Sequence, residues 1–336
     1  MYFSRTMTKH KILSFGELLL RLSSSGESFL GTDNQVVVFP GGSEANVVAS
    51  LGQWGIPCSY LSRVPDNDLA SQALSTLESL GVDVSPSLLE GDRLGLYFLL
   101  SANGLSKGEV VYDRKYSAFS QLQPGRIDWD AVLEGYTWFH WSALTPALNS
   151  ALATICHEAL EAAQHKGLTV SVDLNYRNKL WNYGKQPIEV MPALLAYCDV
   201  VMGNIWAANK MLGTAVLETL SRDTAPDSYF EHAKESAREV FELLPRCGHI
   251  AYTFRFMDSA THNLLYGTYH TRADDFISSI NETNKVVDRI GSGDAFMAGL
   301  IYALVNEKSG QEVIDTATAA GFKKLFVKGD FGNGDT

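Results

Sequence analysis

Two glycine-rich turns carry the residues whose types and spacing are best suited to chemistry. One of them, Gly291-Ser292-Gly293-Asp294, opens an apolar stretch. Glycines leave room for backbone N–H groups to converge on an anion where a helix begins and its dipole is positive. Asp294 could then take a proton from an attacking hydroxyl while the amides hold the charge on a transferred phosphoryl group. Alternatively, the turn is an ordinary helix N-terminus capped by Ser292 or Asp294.

The second turn favours the catalytic interpretation. It has the pattern Gly-Gly-x-x-x-Asn at residues 41–46 and precedes another apolar helical stretch. In this order and at this separation, the two motifs resemble those of the ribokinase-like carbohydrate kinases, the PfkB family. The resemblance extends from Ile12 to about Gly329, and it includes a first strand that ends at Gly16-Glu17. It implies that the four residues 291–294 are catalytic.

The apolar periodicity predicts an α/β fold. Short apolar runs alternate with longer helical patterns, which is typical of a mostly parallel sheet covered on both faces. The predicted strands are Ile12–Phe15, Ser59–Val64, Trp138–Trp141, Thr169–Val172, Val200–Met202 and His249–Thr253. The predicted helices are Asn46–Gln53, Ala70–Leu80, Ser150–His165 and Phe230–Leu244. The resemblance implies a ribokinase-like three-layer α/β/α sandwich, and we expect one domain over residues 1–336.

Two segments, at about residues 18–39 and 93–120, interrupt this rhythm. Both alternate apolar and polar residues, a pattern that predicts strands with one solvated face. In the resembled family, such strands form a small β-sheet lid over the sugar that is often shared between two subunits. The resemblance therefore implies a lid and a homodimer formed through it, and exposed apolar edge strands would favour such pairing.

Composition narrows the classes of partner. The net charge is −11 and no basic run occurs, which argues against binding to nucleic acid or to an acidic membrane surface. No stretch approaches the roughly 20 apolar residues of a membrane span, and no apolar leader segment is evident, so we expect a cytoplasmic location. The cysteines lack the spacing of zinc sites or disulfide frameworks. They are Cys58, Cys156, Cys198 and Cys247.

One further motif bears on the substrate. Residues 173–181 read Asp-x-Asn-x-Arg-x-x-Leu-Trp after a predicted strand, and they resemble the 2-keto-3-deoxygluconate kinases and the fructokinase-like members of the family. Tyr97, Tyr112 and Arg114 stand where those sugar-acid kinases carry lid tyrosines and an arginine. A guanidinium can grip a carboxylate with two hydrogen bonds, so Arg114 and Arg177 are candidate clamps for the acid group. Alternatively, the arginines are solvated surface charges and the tyrosines serve packing.

The resemblance also places Glu17, Gly41, Gly42 and Asn46 at the sugar pocket. Glu17 would hydrogen-bond a hydroxyl; an alternative is a salt bridge with Arg21. Asn46 would contact the ligand, although a residue at a helix N-terminus can also serve only as a cap.

The nucleotide side departs from the family pattern. The usual Asn-x-x-Glu motif appears without its glutamate at residues 204–207, and the usual Thr-x-Gly-x-x-Gly strand end lacks its glycines at residues 253–258. Magnesium would be held largely by ATP phosphates and water, and its protein ligands stay open. The predicted nucleotide-binding residues are Asn204, Thr253, Arg255, Gly291, Gly293 and Gly329.

These patterns lead to one main hypothesis and two alternatives. The main hypothesis is an ATP-dependent and Mg²⁺-dependent kinase that phosphorylates the primary hydroxyl of 2-keto-3-deoxygluconate, giving the 6-phosphate. The first alternative keeps the mechanism and changes the substrate to fructose or another ketose. The second is a non-catalytic sugar-binding or regulatory protein on the same scaffold, since one fold hosts several activities.

Overall fold

A computed structural model of the chain describes residues 10–24, 29–30, 35–100 and 110–334. The strands are β1 (Ile12–Phe15), β2 (Leu19–Ser24), β3 (Val36–Gly41), β4 (Cys58–Leu61), β5 (Arg63–Val64), β6 (Val82–Asp83), β7 (Leu88–Leu89), β8 (Gly95–Leu99), β9 (Val110–Asp113), β10 (Trp138–Ser142), β11 (Thr169–Asp173), β12 (Val200–Gly203), β13 (His249–Phe256), β14 (Asn263–Thr271), β15 (Asp275–Ile277) and β16 (Asn281–Thr283). The helices are α1 (Ser43–Gln53), α2 (Asp68–Ser79), α3 (Trp129–Val132), α4 (Ser150–His165), α5 (Pro187–Leu195), α6 (Ile205–Leu212), α7 (Pro226–Leu243), α8 (Ser292–Val305) and α9 (Gly310–Lys323).

A ten-stranded sheet forms the middle layer, with the order β15-β14-β13-β12-β11-β10-β1-β4-β6 and with β16 paired to β14. The pairs from β6 to β13 are parallel, whereas β14, β15 and β16 are added antiparallel at one edge. Apolar side chains fill both faces of the sheet. One buried cluster includes residues of α4 to α7 and the other includes residues of α1, α2, α8 and α9, which confirms the predicted three-layer α/β/α sandwich.

A second, four-stranded sheet has the order β3-β2-β8-β9. The β2–β8 pair is parallel and the two outer pairs are antiparallel. This sheet corresponds to the predicted lid, although parts of the predicted segments (25–28, 31–34 and 101–109) lie outside the described residues. Because side chains in register across a sheet point to the same face, one row of the lid is polar and aromatic. It consists of Phe39, Arg21, Tyr97 and Tyr112.

The predicted elements differ from the observed ones mainly at their ends. The strand predicted over 59–64 is two short strands, β4 and β5, and helix α1 begins at Ser43 rather than at Asn46. Helix α7 begins at Pro226, four residues before the predicted start, because proline is well tolerated in the first turn of a helix. The antiparallel strands β14 to β16 were not predicted, because their polar and apolar residues lack a continuous apolar run.

None of the helices in the described ranges combines the length and the hydropathy that a bilayer crossing requires.

Candidate active site

A cavity of about 340 Å³ lies between the lid and the carboxyl ends of the parallel strands, where the N-termini of α1 and α8 meet. Ligands of open α/β sheets commonly bind at such strand ends. Its lining includes most of the residues that sequence analysis proposed for the sugar and the phosphate. They are Gly42, Asn46, Tyr97, Tyr112, Arg114, Arg177, Arg255, Gly291, Gly293 and Asp294. The two glycine motifs, more than 240 residues apart in the sequence, thus converge on one cavity.

Asp294 is held by two side chains from the start of α1. Ser43 Oγ donates to its Oδ1 (2.8 Å), and Asn46 Nδ2 donates to its Oδ2 (2.6 Å). Burial raises the pKa of Asp294, and these two hydrogen bonds oppose the rise. Gly291 is the N-cap of α8 with φ of 81°, a left-handed conformation that suits glycine. The carboxylate therefore stands in a fixed orientation beside the amides of a helix N-terminus.

A second carboxylate, Asp173, lies at the end of β11 in the same cavity. Burial raises its pKa to about 7, and the charge of Asp294 adds to the rise. Asn175, with φ of 25°, donates from its backbone to Asp173 (2.9 Å) and from Nδ2 to Ser43 Oγ (2.9 Å). The loop after β11 is therefore connected to Asp294 through Ser43.

Arg255 supplies positive charge at the base of α8. Its Nη2 donates to Ser292 Oγ (2.9 Å), which in turn donates to the carbonyl of Gly321 (2.7 Å). Burial, together with the charges of Arg177 and Arg289, lowers the pKa of Arg255 to about 10. Arg255 still carries its charge at neutral pH, and in the described part of the chain it forms no ion pair with a carboxylate. Such a buried cation suits an incoming anion.

The structure places Glu17 behind the cavity wall, where it accepts from Arg114 Nε (2.6 Å) and from Ser117 Oγ (2.5 Å). A carboxylate partner offsets part of the cost of burying the Arg114 guanidinium, and Glu17 fills that role. Its alternative partner, Arg21, instead pairs with Asp288. Glu17 is thus placed to orient Arg114, and its predicted contact with a sugar stays a prediction.

Ser292 lies outside the described lining of the cavity, and so do four other predicted residues. Gly41 packs against Asp330, whose carboxylate occupies the space that a side chain at Gly41 would need. Asn204 caps α6 by accepting from Ala207 N (2.9 Å), and Thr253 Oγ1 donates to the carbonyl of Gly203 (3.3 Å).

The fourth of these residues, Gly329, donates from its backbone to Asp288 (3.0 Å). Asn204, Thr253 and Gly329 therefore make structural contacts, and their predicted role in nucleotide binding stays a prediction.

Sequence analysis missed residues that the fold brings to the cavity, notably Ser43, Asp173, Asn175 and Asp330. Tyr97 donates to Asp330 (2.6 Å), and burial raises the pKa of Asp330 to about 6. Asp173 and Asn175 belong to the Asp-x-Asn-x-Arg motif, so their position after a predicted strand was a usable signal. Asp330 had no comparable signal, because a polar segment after the last helix reads equally well as an exposed tail.

A larger cavity, of about 700 Å³, lies beside the first one and shares Tyr112 and Arg114 with it. The rest of its lining comes mainly from the segment after β9, the start of α4 and residues 179–183. Neither glycine turn nor Asp294 reaches it, so we place the chemistry in the smaller cavity.

Comparison with known proteins agrees with this architecture. A family model described as pfkB family carbohydrate kinase matches residues 9–241 and 267–330, which is most of the chain. The chain therefore belongs to the pfkB family of carbohydrate kinases. Fold, site and family together define an ATP-dependent carbohydrate kinase, and they confirm the predicted family and the predicted class of enzyme.

Individual relatives resemble the chain over nearly its full length. It is 27% identical over 323 residues to the 2-dehydro-3-deoxygalactonokinase of Haloferax volcanii, covering 95% of this chain and 92% of the relative. It is 25% identical over 292 residues to the 2-dehydro-3-deoxygluconokinase of Bacillus subtilis, with coverages of 86% and 81%. The crystal structure of 2-dehydro-3-deoxygluconokinase from Thermotoga maritima superimposes with a TM-score of 0.86 at 34% identity, covering 96% of each chain.

Proposed function

We propose that this kinase transfers the γ-phosphoryl group of ATP to the primary hydroxyl of 2-keto-3-deoxygluconate, giving the 6-phosphate. This sugar acid is the 2-dehydro-3-deoxygluconate of the relatives' names. The observation that carries the proposal is one cavity that combines a buried, oriented carboxylate, Asp294, with the guanidinium groups of Arg114 and Arg177. The carboxylate suits the transfer to a hydroxyl, and the arginines suit an acidic sugar.

The proposed reaction uses Asp294 as the general base. The primary hydroxyl of the sugar gives its proton to Asp294 as the hydroxyl oxygen bonds to the γ-phosphorus of ATP. The bond between the γ-phosphorus and the bridging oxygen breaks, and ADP leaves. The amides at the start of α8 and the guanidinium of Arg255 hold the charge of the transferred group. The hydrogen bonds from Ser43 and Asn46 keep Asp294 facing the cavity during this step.

Magnesium would neutralise the phosphate charge in this reaction. The described residues contain no group of three or more His, Cys, Asp or Glu side chains that could hold a metal ion. A magnesium ion that is held mainly by nucleotide phosphates and water, as is usual with nucleotides, needs no such group. Among the described residues, the carboxylates that line the cavity are Asp173, Asp294 and Asp330.

The choice of a sugar acid over a neutral ketose rests on Arg114, which follows the lid strand β9, and on Arg177, in the loop after β11. Glu17 occupies only the Nε of Arg114, and Arg177 donates from Nη1 to the neighbouring carbonyl of Tyr176 (3.0 Å). No ion pair among the described residues involves Arg177. A sugar carboxylate could accept from Arg177 and from the terminal nitrogens of Arg114, whereas fructose carries no carboxylate.

The test is phosphate transfer from Mg-ATP to 2-keto-3-deoxygluconate, gluconate, fructose and ribose, with wild type beside Asp294→Asn. Turnover of the keto-deoxy acid that is lost in the variant is the expected result. Turnover of fructose alone would move the enzyme to the ketose kinases, and equal turnover by Asp294→Asn would contradict the assigned base. A wild-type enzyme that phosphorylates no member of the panel would contradict the proposed substrate class.

We also propose that the enzyme forms a homodimer through the outer face of the lid. The residues in register on that face are apolar across all four strands: Val38, Leu22, Phe98 and Val111. The two on the edge strands are 49% and 42% exposed. Light scattering should show a dimer for wild type and a monomer for Val38→Lys with Val111→Lys, because buried lysines disfavour such an interface. A monomeric wild type would contradict the proposal.

A further inference from the structure

A buried lysine lies directly beneath the phosphate-binding turn. Lys324 follows α9 in a short 3-10 helix, Lys324–Phe326, and is only 3% exposed. Its Nζ donates to the carbonyl oxygens of Val327 (3.0 Å) and Gly329 (2.8 Å). A buried ammonium is costly unless it is fully hydrogen-bonded and paired with negative charge. The hydrogen bonds and charged neighbours of Lys324 must therefore offset the cost of its burial.

The side chain of Lys324 supports the backbone of the turn itself. A Cβ built on Gly291 would lie 3.2 Å from Lys324 Cε and would overlap the carbonyl oxygen of Asp330. Gly291 is the N-cap of α8. The backbone amides next to it are the ones proposed to bind the transferred phosphoryl group. The anion-binding turn thus packs against the aliphatic part of Lys324 and against the C-terminal segment.

The charges around Lys324 form a closed, balanced cluster. Arg21 donates from both terminal nitrogens to Asp288 (3.1 and 2.7 Å), and its Nε pairs with Asp330 (2.9 Å). Asp288 also accepts from the backbone of Ile290 (3.0 Å), one residue before the turn. Arg21 and Lys324 balance the two carboxylates. Without the lysine, one net negative charge would remain buried under a site that must accept phosphates.

We propose that Lys324 is a positioning residue for phosphoryl transfer, whose ammonium locks the segment 327–330 beneath Gly291 and keeps the anion-binding turn in its productive geometry. Two consequences add to this role. The positive charge lowers the pKa of Asp294, which favours the ionised base. The lock also fixes Asp330, which accepts the hydroxyl of the lid residue Tyr97. The inference requires transfer to a sugar but not the identity of that sugar.

The positioning role of Lys324 should depend on its charge and therefore on pH. Burial lowers its pKa to about 8, while Asp288 and Asp330 oppose the fall and Arg21 adds to it. The ammonium is present below pH 8 and is lost as the pH rises through that value. Turnover by wild type should therefore decline above about pH 8, with thermal unfolding measured at each pH to show that the fold persists.

The test compares Lys324→Met, Lys324→Arg and the matched control Lys308→Met. Lys308 is a half-buried lysine that donates to Thr316 (3.1 Å) and lines a different cavity, away from Asp294. We expect Lys324→Met to lower kcat by roughly 10- to 100-fold with little change in the KM of the sugar, and to lose the alkaline limb. Lys324→Arg should move that limb to higher pH, and Lys308→Met should behave as wild type.

Two results would overturn the inference. One is a Lys324→Met enzyme that keeps the wild-type kcat and the wild-type alkaline limb. The other is a wild-type profile that stays flat to pH 9.5 while the protein remains folded, which decides the matter even if the variants do not fold. Failure of the whole sugar panel contradicts the proposed substrate instead, so the two failures are distinguishable.

Discussion

The sugar-facing and phosphate-facing halves of the cavity hold their charges in different ways. On the sugar side, Asp294 receives two neutral donors and Arg114 is paired with Glu17. On the phosphate side, Arg255 has a hydroxyl partner, and burial together with the neighbouring arginines lowers its pKa. The sugar-facing half is therefore preorganised before any ligand arrives, whereas the phosphate-facing half keeps a positive charge that a bound anion neutralises. Substitutions on the two sides should accordingly affect different kinetic parameters.

The largest effect is expected at Asp294, the centre of the preorganised half. Asp294→Asn removes the general base while keeping the shape of the side chain, so kcat should fall by about 10² to 10⁴. Sugar binding, measured by calorimetry, should stay close to wild type. The exposed Asp315→Asn on α9 serves as the matched control and should leave kcat unchanged. A variant with normal turnover would refute the assignment of the base.

Substitution of Arg255 tests the phosphate-facing half of the cavity. Arg255→Met should lower kcat/KM for ATP by roughly 10²-fold, because it removes a charge that faces the transferred phosphoryl group. The kcat/KM of Arg255→Lys for ATP should lie between those of wild type and Arg255→Met, since lysine keeps the charge but not the planar guanidinium. The control is Arg222→Met, which breaks an exposed ion pair with Asp258. If ATP kinetics are unchanged in Arg255→Met, the two halves do not differ as described.

Arg177 should show a smaller effect that depends on the substrate. Arg177→Ala should raise KM for 2-keto-3-deoxygluconate by about tenfold, the cost of one charged hydrogen bond, and leave KM for fructose nearly unchanged. The neutral sugar is thus an internal control for damage to the fold. Equal changes for both sugars would show that Arg177 supports the loop rather than the acid group.

The sequence was most informative where local backbone geometry carries the function. The turn at residues 291–294 needs a glycine at a left-handed position and a carboxylate in the first helical turn, and both are visible in four residues. The alternation in the lid segments likewise predicted strands with one solvated face, and Tyr97 and Tyr112 lie in register on two of them. These features depend on short-range spacing, so tertiary packing did not overrule them.

Long-range pairing was not predictable in the same way. Glu17 and Arg114 are 97 residues apart, and nothing in either segment marks the other as its partner. Arg21 is likewise 267 residues from Asp288. Such ion pairs are chosen by the packing of whole elements. For the same reason, the buried position of Asp330 became visible only when the C-terminal segment was seen beneath α8.

The smallest expected effect concerns the coupling between Asp173 and Asp294. The pKa of Asp173 is raised to about 7, and the coupling between two carboxylates is reciprocal. The base must be ionised, so kcat/KM should fall as the pH drops through the apparent pKa of the pair. Asp173→Asn removes one negative charge and lets Asp294 ionise at lower pH. The acid limb should therefore move down by about one pH unit.

This shift is measured as kcat/KM between pH 5 and 8, beside the exposed-residue control Glu78→Gln on α2. Because a wrongly folded variant would lose activity at every pH, a displaced limb with a preserved plateau reports on charge rather than on structure. A limb that stays in place would show that the charge of Asp173 does not contribute to the pKa of Asp294. The preorganised half would then consist of Asp294 and its two donors, with Asp173 serving the loop after β11.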